Sequence, residues 1–262
     1  MTESGRSRGG RRMTGFRIVS TLALALALAF LTLPVVAIFV HTGPGALLES
    51  LGDDAALDAL RLSLETSAIA LAIDVVVGTP AAYLLATRRF RGRALVTTLI
   101  ELPLVLPPAV AGVGLLAAFG PNGLVDAGLV LETAGVVAAL TFVSAPFYVR
   151  QAQASFGAID PSLLEASRTL GAGPARTFAR VAVPVARSGL AAGAALAWGR
   201  ALGEFGATLM FAGSFRGVTQ TAPLAIYERF GTDFTSALAL AAILVAVSLA
   251  VLLSVKAVDA PA

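Results

Sequence analysis

Six apolar runs divide this chain, at 17–40, 62–86, 95–118, 133–155, 187–212 and 236–256. Each is close to the roughly 20 residues that a helix needs to cross a bilayer core about 30 Å thick. Lipid offers the backbone no hydrogen-bond partners, so a chain with six such runs must close its backbone bonds within helices. The predicted fold class is an all-α membrane protein with six transmembrane helices. A composition of 57% hydrophobic and 13% charged residues agrees. The first run follows a basic head with Arg6, Arg8, Arg11 and Arg12. A signal-peptide core is roughly 7–15 residues, so the longer run 17–40 reads as a retained helix. Residues 1–16 are expected to form a disordered basic tail.

Charge sets the orientation. The tail, the 87–94 loop and the 150–187 stretch hold most of the arginines, whereas 41–60, 119–132 and 213–235 hold few and carry Glu49, Asp53, Asp54, Asp58 and Asp126. The positive-inside rule then puts both termini and the 150–187 stretch in the cytoplasm. An even number of spans requires the termini to share a side. The net charge of +3 is spread between apolar runs, which argues against nucleic acid as a partner. No cysteine is present, and His41 is the only histidine, which excludes thiolate and multi-histidine metal sites. Lys256 is the only lysine and stands in no Gly-rich P-loop. If ATP drives this chain, another subunit binds it.

The longest polar tract, 160–184, reads DPSLLEASRTLGAGPARTFARVAVP. Asp160 suits a helix N-cap and Pro161 the first helical position. Gly171 and Gly173 permit a tight turn, and Pro174 opens a second short helix. A short capped helix with small residues on one face fits a groove on a partner, Glu165 holding its register through polar contacts. An ordinary solvated connector is the competing reading.

Three further features lie inside the runs. Pro103, Pro107 and Pro108 interrupt the third. Proline removes a backbone donor, so the break either faces a cavity or is a simple kink at the end of the span. Arg200 and Glu204 stand four apart in the fifth, among Gly199, Gly203 and Gly206, which predicts one helical face near mid-span. Such charges line a wet path or a subunit interface, or lock neighbouring helices as an ion pair. Asp74 lies near the middle of the second run beside Gly78 and Pro80, and Glu101 near the start of the third. Glu101 reads as an interfacial residue; Asp74 stays open.

Glu165-Ala166-Ser167, then Gly171, then Val181-Ala182-Val183-Pro184 resembles the signature of ATP-binding-cassette importer permeases. Ser167 stands where the family has Ala, Val181 where it has Ile, and Val183 where it has Leu. LPLVLPPAVAG with Phe119-Gly120-Pro121-Asn122-Gly123, and RALGEFGAT with Thr219 to Tyr227 downstream, resemble the molybdate-type branch. The resemblance covers about 57–255. It implies a type I ABC importer permease fold over that range, with 160–184 as a cytoplasmic coupling module. It also implies a homodimer in the lipid of the cell membrane, two cytoplasmic ATPase subunits that bind the ATP, and an extracytoplasmic oxyanion-binding protein. The substrate implied is molybdate or tungstate, with sulfate or thiosulfate as the alternative. Glu165, Ala166, Ser167, Gly171, Val181 and Pro184 take the coupling role. Pro107, Pro108, Arg200, Glu204, Phe205 and Gly206 are the pathway candidates. No catalytic residue, metal or bound cofactor is expected in this chain. A proton-driven carrier using Asp74 and Glu204 is the reading from another class.

Overall fold

The computed structural model describes residues 7–259, with side chains described from Gly15 to Leu253. The regular structure among the described residues is helical, without strands. Four helices are long and apolar enough to cross a membrane: α1 (Ser7–His41, apolar from Gly15), α3 (Asp54–Thr87), α6 (Thr133–Gly157) and α13 (Phe234–Asp259). Of the tail expected at 1–16, residues 1–6 lie outside the described residues. The rest needs correcting, since α1 is already helical from Ser7. Extending a formed helix gains a hydrogen bond per residue without a new nucleus.

The acidic segment 41–60 holds more helix than its charge implies. The short α2 (Pro44–Gly52) starts on a proline at its first turn. Asp53 then caps α3, its side chain accepting from the Ala55 N–H at 3.0 Å, and so α3 begins eight residues before the apolar run does. At 34 residues it is about 51 Å long, well over the hydrocarbon thickness, and its acidic start projects beyond that layer.

The third run is two helices rather than one. α4 (Arg93–Val105) and α5 (Pro108–Phe119) meet at a 118° bend. A residue before proline is pushed out of the helical region, and here two stand in succession. Leu106, before Pro107, has ψ 131°, and Pro107, before Pro108, has ψ 135°. Beyond α6 come α7 (Pro161–Thr169), α8 (Pro174–Thr177), a π-helical turn (Phe178–Ala182) and α9 (Val183–Val185). This last segment meets α10 (Arg187–Leu202) at 75°. The fifth run is also broken, with α10 ending at Leu202 and α11 (Gly206–Ala212) following after three residues. α12 (Ala222–Phe230) precedes α13. The described chain thus has four unbroken spans, and six if each bent pair counts as one.

α3 and α6 form the centre. Ala82 and Leu85 of α3 pack with Tyr148, Val149, Ala152 and Phe156 of α6, and the cluster extends to Leu164, Ala182 and Ala197. A second cluster, with Ala111, Leu115, Ala139, Val143, Ala207 and Phe211, joins α5, α6 and α11. A third ties the start of α3 through Ala56 and Leu60 to Ala222, Ala225 and Leu240. Small residues dominate these seams, which lets backbones approach where no hydrophobic force separates helix from lipid.

Candidate functional site

The polar module is built from α7 outward. Asp160 Oδ1 accepts from the Ser162 N–H at 2.9 Å. That bond holds the Asp160 carboxyl below its ordinary range, since only the ionised form accepts so well. The C-terminal end closes as a Schellman motif. Gly171 N–H donates to Arg168 O at 2.9 Å and Ala172 N–H to Ser167 O at 3.0 Å, with Gly171 in the left-handed region at φ 81°. Leu164 is buried and anchors the helix to the core. Ser167 Oγ lies 2.9 Å from Thr177 Oγ1, tying α7 to α8. On the outer side Leu163, Ala166 and Leu170 form one exposed stripe at i, i+3, i+7, with Leu170 88% exposed. Glu165 is exposed beside it. Val181 and Pro184 sit on the next segment, Val181 half-buried and Pro184 exposed. The π turn has a local cause. Pro184 offers no N–H and its ring crowds the carbonyl four residues back. The helix widens just before it, Val183 N–H donating to Phe178 O.

A second cluster gathers the pathway candidates. Arg200 Nη2 lies 2.6 Å from Glu204 Oε2, and the Glu204 side chain is 1% exposed. The pair forms, but not on one helical face: α10 ends at Leu202, and Glu204 stands in the linker. There its other oxygen, Oε1, accepts the Ala207 N–H at 2.7 Å, which satisfies an unpaired donor at the start of α11. Glu204 therefore joins one helix end to the next helix start. Phe205 rests on Tyr227, ring centroids 4.9 Å apart. Gly206 abuts Pro108: a Cβ at Gly206 would lie 2.8 Å from Pro108 Cβ. Gly112 meets the Ala207 carbonyl in the same way, at 2.7 Å. The broken third run and the broken fifth run thus touch at their breaks, α5 against α11. Pro107 precedes this contact as the N-cap of α5. The contact between Pro108 and Gly206 has no sequence signal beyond the breaks themselves.

Other polar groups find partners across the chain. Arg150 Nη1 lies 2.7 Å from Glu101 Oε1, both partly exposed. Arg229 Nη2 donates to Asp53 Oδ2 at 2.5 Å, joining two segments 176 residues apart. Burial works against the Asp53 carboxylate, but the Ala55 N–H and Arg229 together hold it below its ordinary value. Trp198 Nε1 donates to Ser67 Oγ at 2.9 Å, and the Ala222 N–H to Ser63 Oγ at 2.7 Å. Sequence reasoning missed these ties. The hydroxyls on α3 repeat at 63, 66 and 67, which marks a polar stripe but not its partners.

The family described as "Binding-protein-dependent transport system inner membrane component" matches residues 78–260. The molybdenum transport system permease protein ModB of Mycobacterium tuberculosis is 40% identical over 237 residues, covering 88% of this chain and 90% of its own. The molybdate/tungstate transport system permease protein WtpB of Pyrococcus abyssi is 35% identical over 206 residues, covering 78% and 80%. The sulfate transport system permease protein CysW of Synechocystis is 34% identical over 252 residues, covering 91% of each. Among solved structures, a bacterial alginate ABC transporter in complex with its pentasaccharide-bound periplasmic protein aligns with a TM-score of 0.75 at 16% identity, covering 96% of each chain. The broken-helix architecture, the shared fold and these long alignments lead to one conclusion: the chain belongs to the binding-protein-dependent transport system inner membrane components, multi-pass permease subunits of ABC importers that are not themselves enzymes and that work with an ATPase and a binding protein.

Proposed function

We propose that this permease imports molybdate or tungstate, driven by ATP bound and hydrolysed in a partner subunit. The relatives with molybdenum and tungsten transport names support the substrate. The exposed stripe of Leu163 and Ala166 on α7 and Leu170 at its C-cap is the observation that carries the coupling to a partner. Apolar side chains on an otherwise polar, capped helix outside the apolar runs require a cover. The cover is a groove on the ATPase, with Glu165, Ser167, Gly171, Val181 and Pro184 fixing the seat.

Movement of α7 passes on through solid contacts. Leu164 and the Ser167–Thr177 pair bind it to the segment leading into α10. α10 ends at Glu204, whose two oxygens grip Arg200 and the start of α11, and α11 bears on α5 at Pro108. Two copies of the chain alternate between inward- and outward-open forms as rigid bodies, and the broken helices flank the path between them. The termini and α7 face the cytoplasm, a placement that the arginine distribution supports. The binding protein docks on the opposite face, formed by 41–60 and 213–235.

Sulfate is the second reading, favoured by the CysW relative and by the shared shape and charge of tetrahedral dianions. Proteoliposomes holding the permease and its ATPase, with ATP enclosed on the α7 side and labelled molybdate plus binding protein on the other, test the whole. Uptake is expected to need the enclosed ATP, to survive collapse of a proton gradient, and to be competed by tungstate before sulfate. Loss of uptake on collapsing the gradient overturns the ATP-driven reading. Equal competition by sulfate overturns the substrate.

A further inference from the structure

A cavity of about 320 Å³ lies between α3, α4 and α6, apart from the breaks in the third and fifth runs. Its wall is apolar except at two places. Asp74, only 2% exposed, lines it from α3, and Thr141 lines it from α6. Ser144 Oγ donates to Asp74 Oδ2 at 2.5 Å, but Asp74 Oδ1 and Thr141 Oγ1 are buried without a hydrogen-bond partner. Unsatisfied oxygens at this depth are costly, because lipid tails offer them no hydrogen bond. Val77 of α3 and Leu99 of α4 also line the cavity and are exposed at the surface of the chain, so it opens sideways between those helices.

The two unpaired oxygens define what fits. Asp74 Oδ1 accepts, and Thr141 Oγ1 has a proton to give. A hydroxyl has one donor and two acceptor sites, which matches the needs of this pair. An ammonium brings three donors to a wall with too few acceptors. A metal ion needs more oxygen ligands than one carboxylate and one hydroxyl, and no metal-holding group of acidic, histidine or cysteine side chains occurs among the described residues. The volume is at the small end of the about 300–1,000 Å³ range of ligand pockets. We propose that this cavity binds a neutral aliphatic alcohol drawn from the bilayer, its hydroxyl bridging Asp74 and Thr141 and its hydrocarbon lying against Val77, Leu99 and Pro103. The site does not depend on which anion the permease moves.

The test uses the full-length permease in nanodiscs and a 1-decanol analogue carrying an aliphatic diazirine. Irradiation is expected to label the stretch of α4 from Leu99 to Pro103, as mapped by peptide mass spectrometry. Excess 1-decanol suppresses that labelling, and decane at the same concentration does not. Ala145→Leu fills the cavity while leaving Asp74 and Ser144 in place, and it removes the labelling. Thr141→Val, of nearly equal volume, takes away one hydrogen bond and weakens competition by 1-decanol ~5-fold. Each variant is first matched to the parent by thermal melting; if Ala145→Leu melts early, Ala145→Val, a smaller filling of the same space, takes its place, and if Thr141→Val does, Thr141→Ser serves as the control that keeps the hydroxyl. Decane competing as well as 1-decanol overturns the proposal, as does labelling that Ala145→Leu leaves unchanged.

Discussion

Two residues show how much a single position decides here. Gly171 is at φ 81° with open space around it, so a side chain there meets no clash but a strained backbone, worth roughly 1–2 kcal/mol. Gly171→Asp both strains the Schellman turn and sets an acid beside the exposed stripe of α7. Uptake is expected to fall at least ~10-fold, the equivalent of about 1.4 kcal/mol, together with loss of the co-purifying ATPase. Normal uptake with normal co-purification would count against α7 as the docking element. Glu204 is the second case. Glu204→Gln keeps an acceptor for the Ala207 N–H but leaves Arg200 without its counter-charge. Breaking a buried pair from one side typically costs about 3–5 kcal/mol, discounted here because Arg200 is about a quarter exposed. The purified variant should melt well below the parent, and Arg200→Met in the same chain should restore much of the loss. A double variant no more stable than Glu204→Gln would show that the ion pair is not what holds the two helices. The identities of both residues stood out in the sequence. What it did not disclose is that Glu204 lies past the end of its helix and caps another, because a four-residue spacing reads the same on a helix and across a break.

Elements owe their ends to local chemistry more than to hydropathy. The apolar runs located α6 and α13 closely, since in lipid a continuous helix is the default. They missed the interruptions in the third and fifth runs because a hydropathy window averages over a two- or three-residue break. Pro107 and Pro108 signalled one break, and its depth follows from two pre-proline residues in succession. Gly203 signalled the other only weakly, since glycine also occurs inside membrane helices. At this scale α7 carries a clear expectation. Leu163→Ser with Leu170→Ser alters only exposed positions, and so it should leave the permease's melting temperature within the small range usual for surface changes, about ±0.5 kcal/mol in stability. ATPase binding should nonetheless drop sharply in pull-down. Unchanged binding would mean that the stripe is not the seat.

At the scale of the whole chain, charge on the two faces behaves differently. The arginine-rich side is read from sequence counts alone. The acidic side is drawn together by folding, with Asp53 on Arg229 and, more loosely at 3.9 Å, on Arg216. The folded state depresses the Asp53 carboxyl, so the stabilisation is fully present above the unfolded carboxylate value of about 3.9 and fades as pH falls through the lower folded value. Asp53→Asn should therefore melt earlier than the parent at pH 7, and the difference should shrink towards pH 3. Asparagine caps a helix as well as aspartate does, so a difference that does not change with pH would show that the charge of Asp53 is not what stabilises the fold.

By itself, the sequence determined that this is a helical membrane protein, that its arginines gather on alternate segments between the apolar runs, that Lys256 stands in no P-loop motif, and which family its motifs resemble. Those conclusions depend on properties that add along the chain: apolar length, charge count and residue spacing. Tertiary structure decided which breaks meet, that Gly206 must be glycine because Pro108 is there, and that Asp74 faces a cavity with an oxygen still unpaired. Such facts depend on which distant surfaces come within van der Waals reach, and no local count contains that information.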